Sequence, residues 1–304
     1  MTISVLVPDE QGVAALSGVD GVRPMRYQVG EPWSDAARTA EVLVPRFLST
    51  SDPTEMLAGL PNLKLVQLLS AGAEMFIGKV PEHVLLSTCR GAHGGSTAEW
   101  VVGGLLSLYR DFPRFIAARD RGEWDYHETD TLQDKRVLIV GAGDLGDQLV
   151  RRLVPFDARA TLVGRHARDG VHAVAELPDL LGDYDAVVLM VPLTSETKGM
   201  VDAGFLAAMA DGAILVNAAR GPVVDTDALV DELRTGRLRA VLDVTEPEPL
   251  PPGHPLWTLD GVFLTPHVGG SCSGGARRAW RVAADEIRRY AAGERLRNLV
   301  HGEY

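Results

Sequence analysis

Cysteine is almost missing from this sequence: Cys89 and Cys272 are the only two among 304 residues. Two are too few for a disulfide framework or a cysteine-rich zinc site, although one bridge between them stays open. Reduced thiols and a cytoplasmic location are the expectation, with no bound metal. Long apolar runs are lacking too, since none reaches the roughly 18 residues of a membrane-spanning helix. The first residues, MTISVLVPDEQG, carry no basic stretch and turn acidic at once, so they do not read as a secretory signal. Positive charge is short, with 30 basic residues against 41 acidic and a formal net charge of −11. Sequence-independent nucleic-acid binding draws most of its affinity from a basic footprint, so that partner is excluded. A small molecule is expected instead, and an anionic one needs local positive charge against the global sign.

What is present is ordinary globular material: 46% hydrophobic and 23% charged residues, with 32 glycines and 18 prolines that follow no period. The length suggests two domains. Apolar runs of strand length at 3–7, 41–45, 63–69 and 84–88 are separated by helix-length gaps, which implies a parallel sheet with crossover helices. A long helix is expected over 97–115, with Thr97 as its N-cap and Pro113 near its end. The polar stretch 119–133 reads as an exposed arm or a subunit contact. A second series follows, with strands at 137–140, 160–163, 186–191, 213–216, 240–243 and 262–264 and helices at 145–153, 202–209 and 225–235. Six strands with intervening helices make a complete doubly wound sheet. A last helix over 275–292 has no strand to follow and is expected to return to the first domain. The domains are therefore 1–96 with 275–304, and 97–274.

Between 137 and 146, Val-Leu-Ile-Val-Gly-Ala-Gly-Asp-Leu-Gly runs a buried strand into G-x-G-x-x-G and a helix. Gly141 permits the tight turn, Gly143 lets backbone approach a pyrophosphate, and Gly146 lets the helix pack on the strand. The phosphates would sit at the helix N-terminus, where Asp144 and Leu145 begin and free N–H groups favour anions. A second strand follows about 20 residues on, as a dinucleotide site requires. An NAD site usually ends that strand on an acid for the ribose 2′-OH. Here Arg165, His166 and Arg168 stand there, offering donors and positive charge for a 2′-phosphate. NADP(H) is expected to be preferred, with NAD(H) possible.

Three later strands run into Asn217-Ala218-Ala219-Arg220-Gly221, Asp243-Val244-Thr245-Glu246-Pro247-Glu248, and Thr265-Pro266-His267-Val268-Gly269. An open α/β sheet puts its ligand crevice at these carboxyl ends. Arg220 would hold a substrate carboxylate and polarise the carbonyl beside it. His267 would give the proton as the carbonyl becomes a hydroxyl. A carboxylate beside the imidazole would orient it and stabilise its protonated form.

With these motifs, and with the segment AVVLMVPLTSETKGMVDAGFLAAMADGAILVNAARGPVVDTDAL over 186–229, the chain resembles the D-isomer-specific 2-hydroxyacid dehydrogenase family along nearly its whole length. The resemblance implies two Rossmann-like α/β domains that close on the cofactor, a homodimer built on the hinge-helix region, and reduction of a small 2-keto acid of the glyoxylate or hydroxypyruvate kind. It places the catalytic arginine, glutamate and histidine on Arg220, Glu248 and His267, with Glu246 only a neighbour. It adds Val191, Pro192, Thr197, Asn217, Ala218, Ala219, Asp243, His267 and Gly269 to the cofactor site. Asp243 is expected at the nicotinamide carboxamide, and Asn217 as a support of the Arg220 loop. Ser70, Ala71, Gly72 and Ala73 are expected to grip the substrate carboxylate through backbone amides, beside Arg220 and His267.

A rival within enzymes is an NAD-linked phosphonate or formate dehydrogenase relative; Glu248 speaks against the formate-oxidising variant, for which the family carries glutamine there. The alternative from another class is a non-catalytic, dinucleotide-sensing corepressor-like protein, for which a long tail after the last helix is expected. His93, His127 and His254 read as surface or loop residues. Trp100, Trp124 and Trp257 are candidates for a pocket or an interface, with core packing preferred for at least two of them. Met75 and Phe76 are unranked candidates for the substrate side.

Overall fold

The computed structural model describes residues 2–47 and 52–302. In chain order the strands are β1 (Ile3–Val7), β2 (Val22–Arg26), β3 (Val42–Leu43), β4 (Leu65–Gln67), β5 (Leu85–Ser87), β6 (Arg136–Val140), β7 (Arg159–Gly164), β8 (Val171–Ala173), β9 (Ala186–Leu189), β10 (Ile214–Asn217), β11 (Arg239–Leu242) and β12 (Val262–Leu264). The helices are α1 (Glu10–Leu16), α2 (Pro53–Ala58), α3 (Gly94–Tyr109), α4 (Phe112–Asp120), α5 (Asp144–Leu153), α6 (Leu177–Leu180), α7 (Ala203–Ala208), α8 (Thr226–Arg234) and α9 (Gly275–Ala291). Two compact units emerge, one running to His93 and resuming at Ser273, the other from Gly94 to Cys272.

In the first unit the strands pair in parallel in the order β2-β1-β3-β4-β5. Strand β1 is buried along its whole length, as a strand covered on both faces must be. Strand β2 was not anticipated, because Val-Arg-Pro-Met-Arg shows neither alternation nor an apolar run; it lies at the sheet edge, where proline is tolerated. Helix α1 is capped by Asp9, whose carboxylate accepts from Gly12 N at 2.8 Å. Helix α9 belongs to this unit: Trp280, Ala283 and Ile287 pack with Val5, Val7, Leu16 and Leu65. Glu286, 1% exposed, accepts from the backbone N–H groups of Arg297 and Asn298. That clamp aims the chain end along β5, where Thr88 N donates to Asn298 O and Val300 N to Leu86 O.

In the second unit seven parallel strands run in the order β12-β11-β10-β9-β6-β7-β8. Six were expected; the seventh, β8, has three residues and closes the edge. Alternation sends Leu138, Leu189, Leu215 and Leu242 to one face and Ile139, Val188, Val216 and Val241 to the other, so each face carries its own core. The order reverses between β6 and β9, and the crevice of such a sheet lies at that switch, outside the carboxyl ends.

The helix expected over 97–115 is two helices. Asp111 adopts φ +50° and breaks it, and Pro113 falls in the first turn of α4 instead of near an end. Thr97 is no cap: α3 already starts at Gly94, and Thr97 is buried within it. Beyond α4 an arm is pinned back by a bidentate Arg114–Asp125 pair at 2.6 and 3.0 Å. His127 stacks on Phe115 and reaches Asp111 Oδ2 at 3.1 Å. The arm leaves Trp124 and Tyr126 at 96% and 90% exposure. With Trp257 also exposed, core packing fails for two of the three tryptophans considered. Neither cysteine is in a disulfide; Cys89 is buried and Cys272 exposed. Among the described residues no helix is long and apolar enough to cross a membrane, and no cluster of potential metal ligands is found.

Candidate active site

Strand β6 delivers the glycine turn to the switch point. Gly141 has φ +128°, and a Cβ there would run into the Met190 carbonyl after β9, so only glycine fits. A Cβ on Gly146 would strike the Gly141 carbonyl, which explains the tight seat of α5 on this turn. Gly143 faces open space instead, with nothing near the position of a Cβ. It is the N-cap of α5, and no side chain caps that helix. Uncapped N–H groups beside open space fit a dinucleotide pyrophosphate. Asp144, at the first helical position, turns its carboxylate against Gly94, and its Oδ2 is buried without a hydrogen-bond partner among the described residues.

The basic trio after β7 divides its work. Arg168 folds back so that Nη2 donates to Ala142 O at 2.6 Å, bracing the glycine turn. Arg165 pairs with Glu196 at 2.7 Å, and His166 is exposed. After β9, the loop holding Val191, Pro192 and Thr197 is knotted on itself: Thr197 Oγ1 donates to Pro192 O at 2.6 Å and accepts from Thr194 N at 2.9 Å.

Strand β10 ends in Asn217, 1% exposed, whose amide donates to Arg220 O and accepts from Ala219 N, both at 3.0 Å. Asn217 thus shapes the turn through Ala218 that presents Arg220. Gly221 lies so close to the Thr245 carbonyl that a Cβ would overlap it, which presses the loops after β10 and β11 together. The Arg220 guanidinium donates to Ala219 O at 2.6 Å.

The tightest construction surrounds Asp243, 5% exposed at the end of β11. Its Oδ1 accepts from Thr265 Oγ1 at 2.6 Å and Val268 N at 2.8 Å, its Oδ2 from Gly269 N at 2.8 Å, and its carbonyl from His267 N at 2.7 Å. One carboxylate therefore holds the loop on both sides of His267, whose φ of +56° is unusual for a side-chain-bearing residue and needs such support. Whatever Asp243 offers the nicotinamide, its web of bonds makes it the anchor of the histidine loop. Thr265, which sequence reasoning passed over, also accepts from Trp100 Nε1 at 3.0 Å. The only hint of it was its place in the Thr-Pro-His motif.

His267 Nδ1 lies 2.6 Å from Glu248 Oε1, and both side chains are partly exposed, at 37% and 41%. Glu248 is thereby separated from its neighbour Glu246 as the carboxylate on the imidazole. A carboxylate on Nδ1 fixes the ring and leaves Nε2 to exchange a proton with a substrate. The structure brings Glu248 and His267 together and sets Arg220 on the loop two strands over.

The first unit holds Ser70, Ala71, Gly72 and Ala73 in the loop after β4, where Ser70 Oγ donates to Gly72 O at 2.7 Å and Ser70 O accepts from Cys89 N at 2.7 Å. His93 is not a surface residue: at 8% exposure it stacks on Phe47, and its Nε2 lies 2.8 Å from Leu69 O. His127 lies in a loop, stacked on Phe115.

The family model for "D-isomer specific 2-hydroxyacid dehydrogenase, NAD binding domain" matches residues 102–269. Among curated relatives, a glyoxylate reductase of Thermofilum pendens is 34% identical over 266 residues, covering 82% of this chain and 78% of its own length. Among solved structures, a D-isomer specific 2-hydroxyacid dehydrogenase of Xanthobacter autotrophicus Py2, determined with NADPH and MES, superposes with a TM-score of 0.84 at 32% identity, covering 100% of this chain and 99% of its own. An NADPH-dependent glyoxylate/hydroxypyruvate reductase of Sinorhizobium meliloti, solved with NADP and sulfate, gives 0.84 at 26% identity, with all of both chains covered (100% each).

Proposed function

The chain belongs to the D-isomer specific 2-hydroxyacid dehydrogenase family, and from that premise we propose that it reduces a small 2-keto acid, glyoxylate or hydroxypyruvate among them, to the D-2-hydroxy acid, with NADPH preferred over NADH. The observation that carries this reading is the His267–Glu248 contact of 2.6 Å, on a loop of the same sheet that bears the dinucleotide turn.

A bound reduced nicotinamide supplies the hydride. The residues do the rest. Arg220 holds the substrate carboxylate and withdraws electron density from the adjacent carbonyl. His267, as imidazolium, gives the Nε2 proton to the carbonyl oxygen as it becomes a hydroxyl, and Glu248 stabilises the charge before transfer and keeps the ring oriented. The neutral imidazole then recovers a proton from solvent, and the reverse sequence makes it the base for hydroxy-acid oxidation.

The uncapped start of α5 holds the pyrophosphate, with Gly141, Gly143, Leu145 and Gly146 shaping the seat. Arg165 and His166 face the 2′-phosphate, while Arg168 braces the glycine turn beside them. Ser70, Ala71, Gly72 and Ala73 give backbone N–H groups to the substrate carboxylate, which makes the first unit the substrate-binding domain and the second the dinucleotide-binding domain. The exposed Trp124 and Tyr126 support a homodimer formed through their arm.

The test is a panel of 2-keto acids assayed with NADPH and NADH side by side, following loss of reduced nicotinamide absorbance. Glyoxylate or hydroxypyruvate should be turned over faster with NADPH. Failure to oxidise either dinucleotide with any 2-keto acid would favour a dinucleotide-sensing protein instead.

A further inference from the structure

One acidic side chain intrudes on the basic trio. Glu196 Oε2 lies 2.7 Å from Arg165 Nη2, with the side chains 66% and 56% exposed. Arg165 follows β7 and Glu196 follows β9, and these strands flank β6 on either side. The ion pair therefore joins the two loops that border the glycine turn. The two partners differ in freedom. The loop of Glu196 is tied by the Thr194–Thr197–Pro192 bonds, whereas Arg165 sits at the tip of a strand end on a long, flexible side chain. Arg168 is already committed to Ala142 O, so Arg165 is the guanidinium left for a 2′-phosphate, and Glu196 is its resident anion.

We propose that Glu196 sets how sharply this site discriminates between 2′-phosphorylated and unphosphorylated dinucleotides. The inference rests on the cofactor reading above and deepens it. A 2′-phosphate must share Arg165 with Glu196 or take it, and in either case lies beside a like charge. A ribose with a free 2′-OH does neither and can offer its hydroxyl to the carboxylate. Glu196 thus taxes NADPH and spares NADH, holding a site with three basic residues closer to dual use than its arginines alone would make it.

Isothermal titration of the full chain with NADPH and with NADH tests this. Glu196→Gln should tighten NADPH about three- to fivefold, the range of one exposed ion pair, and shift NADH by less than about twofold in either direction. The gain should shrink at higher salt, because exposed charges are screened, and should be smaller in an Arg165→Ala background. If Arg165→Ala weakens NADPH while Glu196→Gln changes nothing, Glu196 is a bystander and the inference falls with the cofactor reading intact. If Glu196→Gln tightens both dinucleotides equally, the effect is general charge and the inference again falls. If Arg165→Ala leaves NADPH binding unchanged, the cofactor reading itself is wrong and takes the inference with it.

Discussion

The five-stranded sheet of the first unit and the seven-stranded sheet of the second are both wholly parallel and both bury aliphatic residues on two faces. They differ at the carboxyl ends of their strands. In the second, Asn217, Asp243 and Thr265 are polar side chains at strand ends that spend their hydrogen bonds on neighbouring loops, shaping the turn before Arg220 and holding the loop around His267. In the first, the buried polar groups serve the scaffold. Gln67 bonds Leu68 O and Thr88 O, and Glu286 clamps the returning chain end. A parallel sheet provides a crevice wherever its order reverses, but chemistry requires that the loops there be rigid as well as polar.

That contrast can be broken from either side. The largest effect on stability is expected in the first unit: Trp280→Ala, at a residue 3% exposed in the core beneath α9, should cost about 3–5 kcal/mol, read as a shift of the denaturant unfolding curve. A loss below about 1 kcal/mol would show that α9 is a dispensable covering. A smaller effect is expected at the rim of the second unit. Thr265→Val removes the hydroxyl shared by Asp243 and Trp100 and should cost about 1–3 kcal/mol of stability, with the fall in kcat exceeding any change in dinucleotide affinity. Equal losses in both would mean that the web supports the cofactor and not the histidine. The smallest test is chemical. Burial holds the Cys89 thiol at a pKa of about 12, so at pH 8 a thiol reagent should label Cys272 quickly and Cys89 only after unfolding. Two fast thiols would show that the first unit is looser than its core implies.

The second unit was the more legible of the two in the sequence, for a physical reason. A phosphate-binding turn needs glycine where a Cβ would collide, and acid–base work needs histidine and a carboxylate at strand ends, so residue type and spacing carry the message. The first unit offers fewer such demands. Strand β2 hides behind Pro24 and two arginines, and α1 and α2 are too short for a periodic signal. The break at Asp111 depends on a left-handed backbone that no local pattern announces. Side-chain partners were the least visible. Arg165 reads as a free cation until Glu196, on another strand's loop, is found against it, and the four bonds that tie Asp243 to the histidine loop are invisible in its spacing.

In the proposed mechanism His267 is the proton donor, on a loop that Asp243 and Glu248 hold. The decisive measurement compares wild type with His267→Asn for NADPH binding by titration and for keto-acid reduction under saturating NADPH. The account predicts NADPH affinity within about twofold of wild type and a reduction rate lower by about 10²- to 10⁴-fold. A rate within about threefold of wild type, with binding intact, would contradict it.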